Sequence, residues 1–329
     1  MVNWEHKKVL VCGGAGLIGS HMSRKLLELG AEVTIADNLS SGSEKNVEGL
    51  YADFQKVDLR AFQACMVMSQ GKDAIFQFAA DMGGIGYITA IGADIMHNSA
   101  MINLNMLEAA RRYEISNYFY SSSACVYPEY LQLESEVIPL KEVDAIPAQP
   151  DQFYGWEKLF AEKLVEAYQK DYGMNIRMAR FHNVYGSVFT AFDKQKGKAP
   201  CHLIMKAIKH PNPPFGLWGD GKATRSYLHI DDCIEAVLHL MDSNYEGAIN
   251  IGSDRLISVD ELAALVIEIS GKSIAPSHDL SKPQGVRGRN ADLTLVEQVL
   301  GWKPKVTLEG GLKGVYVWAE EHYNELENI

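Results

Sequence analysis

Four positions separate Tyr154 from Lys158 in the string YGWEK, which on a helix sets a phenol and an ammonium one turn apart on one face. A phenol titrates near pH 10 and is a poor base in neutral water. A neighbouring ammonium stabilises the phenolate and turns it into a usable base for a hydroxyl proton. Upstream, YSSSACVY (120–127) follows an apolar run, so Ser123 falls at the carboxyl end of a strand, where open α/β sheets bind ligands. Its hydroxyl can hold the alcohol that the tyrosine deprotonates. Alone, a tyrosine–lysine pair is ordinary helix surface. It acquires meaning from a glycine loop near the start of the chain.

That loop, Gly13-Gly14-Ala15-Gly16-Leu17-Ile18-Gly19, lies between a strand candidate at 8–12 and a helical stretch at 17–29. Glycine is demanded there because a pyrophosphate must approach the backbone closely, its charge held by N–H groups and the positive end of the helix. Asp37 closes a second strand candidate, 32–36, at the distance expected of an acid that accepts both ribose hydroxyls and repels a 2′-phosphate. With Asn38 next and no adjacent arginine, NAD is favoured over NADP. Asp58, in VDLR, is expected either against the adenine or as a helix N-cap.

Alternating elements must carry these groups. Further strands are expected near 54–57, 74–79, 118–121 and 176–180, and further helices at 99–113 and 156–172. Strands separated by such helices build a Rossmann-type, doubly wound parallel sheet. We expect it in residues 1–186 and 231–254, with a smaller, chain-discontinuous α/β domain from 187–230 and 255–329 binding the substrate. The 329 residues suffice for a sizeable core. A net charge of −11 repels polyphosphates, which disfavours nucleic-acid and anionic-membrane partners. Five scattered cysteines without a C-x-x-C pair fit a reducing compartment. No secretory signal or apolar run of about 18 residues is visible, so a cytoplasmic protein is expected. His182 and His229 lack metal-ligand spacing and are read as structural; no metal is expected. Trp218 is read as a core residue.

The order GGAGLIG, Asp37, FAAD, SSSACVYP and YGWEK resembles the extended short-chain dehydrogenase/reductase family. AADMGGIG (79–86), RFHNVYG (180–186), KAP (198–200), WGDGKATRS (218–226) and GVRGRN (285–290) are similar to its nucleotide-sugar epimerases acting on GDP-mannose, over residues 8 to 318. The resemblance implies NAD held by Gly13, Gly16, Leu17, Ile18, Gly19, Asp37, Asn38, Asp58, Ala79 and Ala80, together with Tyr154 and Lys158. It implies a sugar oxidised transiently at C4 by Tyr154, Lys158 and Ser123, with Cys125 and Lys198 as the base and acid that invert C3 or C5. It places substrate contacts at Gly83, Ser123, Ala124, Cys125, Asn183, Lys198, Ala199 and Lys206, with Arg225 and Arg289 on the pyrophosphate. Relatives commonly pair through the helices near 99–113 and 156–172. The apolar residues Met101, Leu104, Leu107, Leu159, Phe160 and Leu164 could serve a homodimer there.

Read without the resemblance, Cys125 is two positions beyond Ser123 on one face of an extended segment. It would be a thiolate base if cations surround it, and otherwise a small buried hydrophobe. Lys198, in a Lys/Gly loop, would ordinarily be solvated. The stretch 188–196 and Ala223, where a glutamine is usual, depart from the family pattern and leave open inversion at C3, C5 or both. A 4-epimerase with Cys125 as a spectator is the near alternative. A dehydratase would want a carboxylate pair where Ala124-Cys125 stands. A non-catalytic NAD-binding protein would need no Ser123, Tyr154 and Lys158.

Overall fold

The computed structural model describes residues 2–193, 197–282 and 285–327. The string KVLVC is apolar without alternation, which suits a strand covered on both faces. It forms β1 (Lys8–Cys12), from which Val9 and Val11 enter one core while Leu10 and Cys12 enter the other. Around it lie β2 (Glu32–Asp37), β3 (Asp53–Lys56), β4 (Ala74–Gln77), β5 (Asn117–Ser123) and β6 (Ile176–Phe181). Later strands, in chain order, are β7 (Val184–Tyr185), β8 (Gly216–Trp218), β9 (Thr224–Ser226), β10 (Leu228–His229), β11 (Ala248–Ile251), β12 (Leu256–Ser258), β13 (Ser277–Asp279) and β14 (Gly288–Arg289). The large sheet has the order β11-β6-β5-β4-β1-β2-β3, parallel throughout. The chain leaves β1 in one direction and returns at β4 in the other, so a crevice opens between their carboxyl ends.

Helices cover both faces: α1 (Leu17–Glu28), α2 (Phe62–Ser69), α3 (Ile85–Ala90), α4 (Gly92–Arg112), α5 (Phe153–Tyr172), α6 (Ala199–Lys209), α7 (Ile230–Asp242) and α8 (Val259–Ser270). Gly173, at φ +66°, closes α5 in the left-handed conformation that glycine adopts without strain. A reciprocal Ser258–Glu261 capping box opens α8. Two boundaries depart from the expectation. Helix α4 begins at Gly92, seven residues ahead of Ser99, because the buried Ser99 hydroxyl accepts the Asp81 N–H at 3.0 Å instead of capping a helix, and buried Ile95 extends the apolar stripe. Helix α5 begins at Phe153, which puts Tyr154 in its first turn.

The smaller part packs α6, α8 and the helix Leu308–Glu321 around Ile204, Leu262 and Leu312. Its short sheets are β12-β9-β14 and β13-β8. Trp218 departs from the expected core placement. It stands at the end of β8, which pairs with β13, and its indole is 47% exposed.

Behind the carboxyl end of β5 lies a buried polar network. Arg180 pairs with Glu162 at 2.7 Å, and Ser122 donates to the same carboxylate. Asn250 accepts from Tyr127 at 2.6 Å and contacts His182 Nε2 at 3.0 Å. Burial drives the His182 imidazole down to about pKa 3, with Arg289 and Arg180 adding to the effect and the Asn250 contact opposing it. The folded protein therefore keeps His182 neutral where an unfolded chain, titrating near 6.5, takes up a proton. Because the unfolded chain binds more protons below that point, this group removes stability as pH falls, by roughly 1.4 kcal/mol per pH unit between about pH 6 and 4. Urea unfolding of His182→Gln should show a shallower loss over that window than the parent. Equal slopes would exclude His182 as the source.

Candidate active site

The carboxyl ends of β1, β4 and β5, the start of α1 and the start of α5 enclose a cleft of about 330 Å³. Gly13 adopts φ +69°, and a Cβ there would come within 2.8 Å of the Ala79 nitrogen. The chain after β1 thus crosses the chain after β4 so tightly that only a bare backbone passes. The first turn of α1 has no acidic residue, so its N–H groups and positive end are left for an anion. Gly13, Gly16, Leu17, Ile18 and Gly19 line this end of the cleft, with Asn38, Ala79 and Ala80 beside them.

Asp37 ends β2 and is buried at 8% exposure. Its carboxylate accepts the Ala15 N–H at 3.0 Å and the Leu39 N–H at 2.8 Å. Burial raises its pKa, and the two N–H bonds pull the other way. A diphosphate over the glycines and an unphosphorylated ribose at Asp37 fit these groups, so the residues that would hold NAD are present. Asp58 is not the N-cap of α2. Arg60 occupies its carboxylate at 2.6 Å, α2 is preceded by Ala61, and the flanking Val57, Leu59 and Arg60 meet the cleft.

Tyr154, Lys158, Ser123 and Lys198 line the same cleft. Lys158 is 2% exposed and donates to the Ser121 carbonyl at 2.8 Å, its ammonium 5.7 Å from the centre of the Tyr154 ring. Burial lowers the Lys158 pKa, against the pull of Glu157, Glu162 and Cys125. Burial also pushes the Tyr154 phenol up, with Cys125 and Glu157 adding to it and a Ser123 hydrogen bond drawing it back. A cation brought against that phenol is what the site needs to make it a base.

Cys125 is not on an extended segment. Ala124–Val126 forms a 3-10 turn at the carboxyl end of β5, capped by Ser123, whose Oγ accepts the Cys125 N–H at 3.2 Å. The thiol receives a hydrogen bond from Arg289 Nη1 at 3.2 Å and lies within electrostatic reach of Tyr154, Lys158, Lys198 and Arg225. Arg289, itself buried, is held by Gln132 and by Asp151 at 3.6 Å. Lys198 immediately precedes α6, its side chain making no cap hydrogen bond, with Ala199 as the first helical residue. Unlike a solvated loop lysine it is half-buried, and burial lowers its pKa while Cys125, Cys233 and Cys201 oppose the shift.

The remaining candidates are spread around this centre. Gly83 packs against Tyr87 in the loop before α3, where Tyr87 and Asn98 both donate to Asp81 at 2.8 Å. Asn183 donates to the Ser226 carbonyl at 3.1 Å, and Lys206 to the Gly216 carbonyl. Arg225 donates to the carbonyls of Thr224 and Val286, and burial together with Arg289 brings it down to about pKa 10. Of the divergent stretch 188–196, residues 194–196 lie outside the described residues; Thr190 and Ala191 line the cleft. Asp151 and Gln132 were missed by the sequence reading, and no spacing in the chain ties either to Arg289. Among the described residues no trio of His, Cys, Asp or Glu could hold a metal ion.

Asp37→Ala should weaken NADH binding by roughly 10- to 100-fold, the effect of losing a charged acceptor, and narrow the preference over NADPH, as read by fluorescence titration. Undiminished affinity would remove Asp37 from the ribose.

Comparison with known proteins agrees with this geometry. Over 318 residues the chain is 42% identical to a GDP-mannose 3,5-epimerase of Arabidopsis thaliana, covering 96% of this chain and 83% of that one. Its fold superposes on a UDP-glucose 4-epimerase of Thermotoga maritima with a TM-score of 0.88 at 27% identity, covering 96% and 99% of the two chains. A Thermus thermophilus UDP-glucose 4-epimerase in complex with NAD gives 0.81 at 25% identity, covering 95% and 99%. The model of the NAD dependent epimerase/dehydratase family matches residues 9–252, and the chain belongs to that family.

Proposed function

We propose that this protein is a nucleotide-sugar epimerase that accepts GDP-mannose and inverts C3, C5 or both through a transient ketone at C4. The observation that supports this most is the Cys125 thiol, held by Arg289 at 3.2 Å on the turn that Ser123 caps, next to a cleft lined by Ser123, Tyr154, Lys158 and Lys198. Bound NAD supplies a reversible hydride acceptor for C4. Tyr154 Oη takes the proton of the C4 hydroxyl, Ser123 Oγ orients that hydroxyl, and Lys158 steadies the phenolate. The ketone acidifies the adjacent C–H bonds because each carbanion spreads onto its oxygen. Inversion then needs a base on one face of the ring and an acid on the other. The Cys125 thiolate would take the proton. Lys198 would deliver one from the opposite side, and burial makes its ammonium the readier donor near neutral pH.

The 42% relative carries the 3,5-epimerase name. The 4-epimerase reading rests on the similarity to UDP-glucose 4-epimerases and would leave Cys125 without a task. We infer that residues 1–186 and 231–254 bind NAD, and that 187–230 and 255–329, carrying Lys198, Lys206, Arg225 and Arg289, bind the nucleotide sugar. The exposed Phe153, Trp156 and Phe160 run along one face of α5 beside α4, and we infer a homodimer through that face. Five free thiols accord with a cytoplasmic setting, and no helix among the described residues is long and apolar enough to cross a membrane.

The test is incubation with GDP-mannose in D2O, followed by NMR of the sugar. Deuterium at C3 or C5 is expected; inversion at C4 without solvent label would establish a 4-epimerase instead. Cys125→Ala should abolish the label while substrate still reduces bound NAD, and unchanged labelling would remove the thiol from the chemistry. Tyr154→Phe should lower both signals by about 100-fold or more, the usual contribution of a positioned base.

A further inference from the structure

One buried side chain ties the two halves of the site together. Asn46, 5% exposed, follows the Asp37 loop and takes no part in the chemistry above. Its Nδ2 donates to the Ala15 carbonyl at 2.7 Å and to Thr190 Oγ1 at 3.0 Å, while its Oδ1 accepts the Phe189 N–H at 3.0 Å. These partners dictate the amide's orientation, since a carbonyl can only accept and an N–H only donate. Ala15 belongs to the glycine loop, and its own N–H is held by Asp37. Phe189 and Thr190 lie in the turn Phe189–Phe192, which leads to Lys198. Gly197 donates to the Asp193 carbonyl at 2.9 Å, and a Cβ on Gly197 would meet the Ala191 oxygen at 2.6 Å, so the backbone before Lys198 is closed onto that turn. On its far side Phe189 packs edge-on against Trp318, 5.2 Å between ring centres.

We propose that Asn46 is a positioning residue that sets Lys198 from the cofactor loop. It couples the seating of the dinucleotide on Gly13–Gly16 to the placement of the acid opposite Cys125. The proposal rests on the epimerase reading above. Asn46 touches none of Tyr154, Lys158 and Ser123, which handle the C4 hydroxyl from β5 and α5, and it reaches the cofactor loop only through the Ala15 carbonyl. Its loss should therefore be felt in proton exchange more than in hydride transfer.

Asn46→Asp keeps the acceptor for Phe189 and replaces the donor to Ala15 with a repelling oxygen. Thr190→Val removes one bond from the other side and leaves the cofactor loop intact. With each NAD-loaded variant and GDP-mannose, C4 oxidation is read from the absorbance of reduced nicotinamide, and exchange from deuterium entry at C3 or C5. Asn46→Asp should lose about tenfold or more in deuterium entry, as displacement of a reacting group does, with C4 oxidation held within about threefold. Thr190→Val should shift the same ratio in the same direction by less. Parallel loss of both signals with a lowered melting temperature would make Asn46 merely structural, and retention of both would leave it without influence; either overturns the proposal. If the parent protein oxidises GDP-mannose and exchanges no deuterium, it is the epimerase reading that fails.

Discussion

Placing ammonium and guanidinium groups where water is scarce is the constraint on which this cleft is built. Removing such an ion from water costs several kcal/mol unless its hydrogens find acceptors. Three of the buried cations have found acceptors, with Arg289 Nη2 left to the longer Asp151 ion pair. Lys158 donates a hydrogen bond to the Ser121 carbonyl, Arg180 pairs with Glu162, and Arg289 is shared among Gln132, Asp151 and Cys125. The acceptors are mostly neutral or shared, so the charges are tolerated without being cancelled. Their fields stay available to a phenol, a thiol or an arriving anion.

The three consecutive serines at the end of β5 show how backbone alternation divides this labour. Ser122 points away from its neighbours and donates to Glu162, anchoring the strand end to α5 and β6 through Arg180. Ser121 donates to the Gln77 carbonyl and offers its own carbonyl to Lys158, which joins β5 to β4 and to α5. Ser123 faces the cleft and caps the turn that carries Cys125. Phenol, ammonium, hydroxyl and thiol thus take their positions from one strand end and one helix.

What could be read from the chain follows from how local each signal is. The apolar run at β1, the glycine loop and Asp37 are short-range patterns, and they sit in the fold as expected. The start of α4 was misplaced because Ser99 looks like a cap until Asp81 arrives to bond it. Trp218 was taken for core because nothing local says that β8 would be short and paired with β13. The Arg289–Asp151 and Asn46–Thr190 contacts join residues more than a hundred positions apart. They exist because the turn after β7 and, later, β14 fold back beside the cleft. No periodicity encodes such meetings, so the supports of the site were less legible than its reacting groups.

An acidic chain that binds an anionic sugar nucleotide must hide its cations from its own surface. Here 42 carboxylates against 31 lysines and arginines make the average surface repulsive to phosphate. Arg225 and Arg289 are nonetheless close enough that Arg289 helps to draw the Arg225 pKa down, which means that each raises the energy of the other's charge. A diphosphate placed between them, as the proposed function requires, would relieve that repulsion. A neutral sugar would leave that repulsion unrelieved. On the proposed function, affinity for the nucleotide and rejection of the bare sugar would share one electrostatic origin, set by the register of β9 against β14 that aligns Arg225 with Arg289.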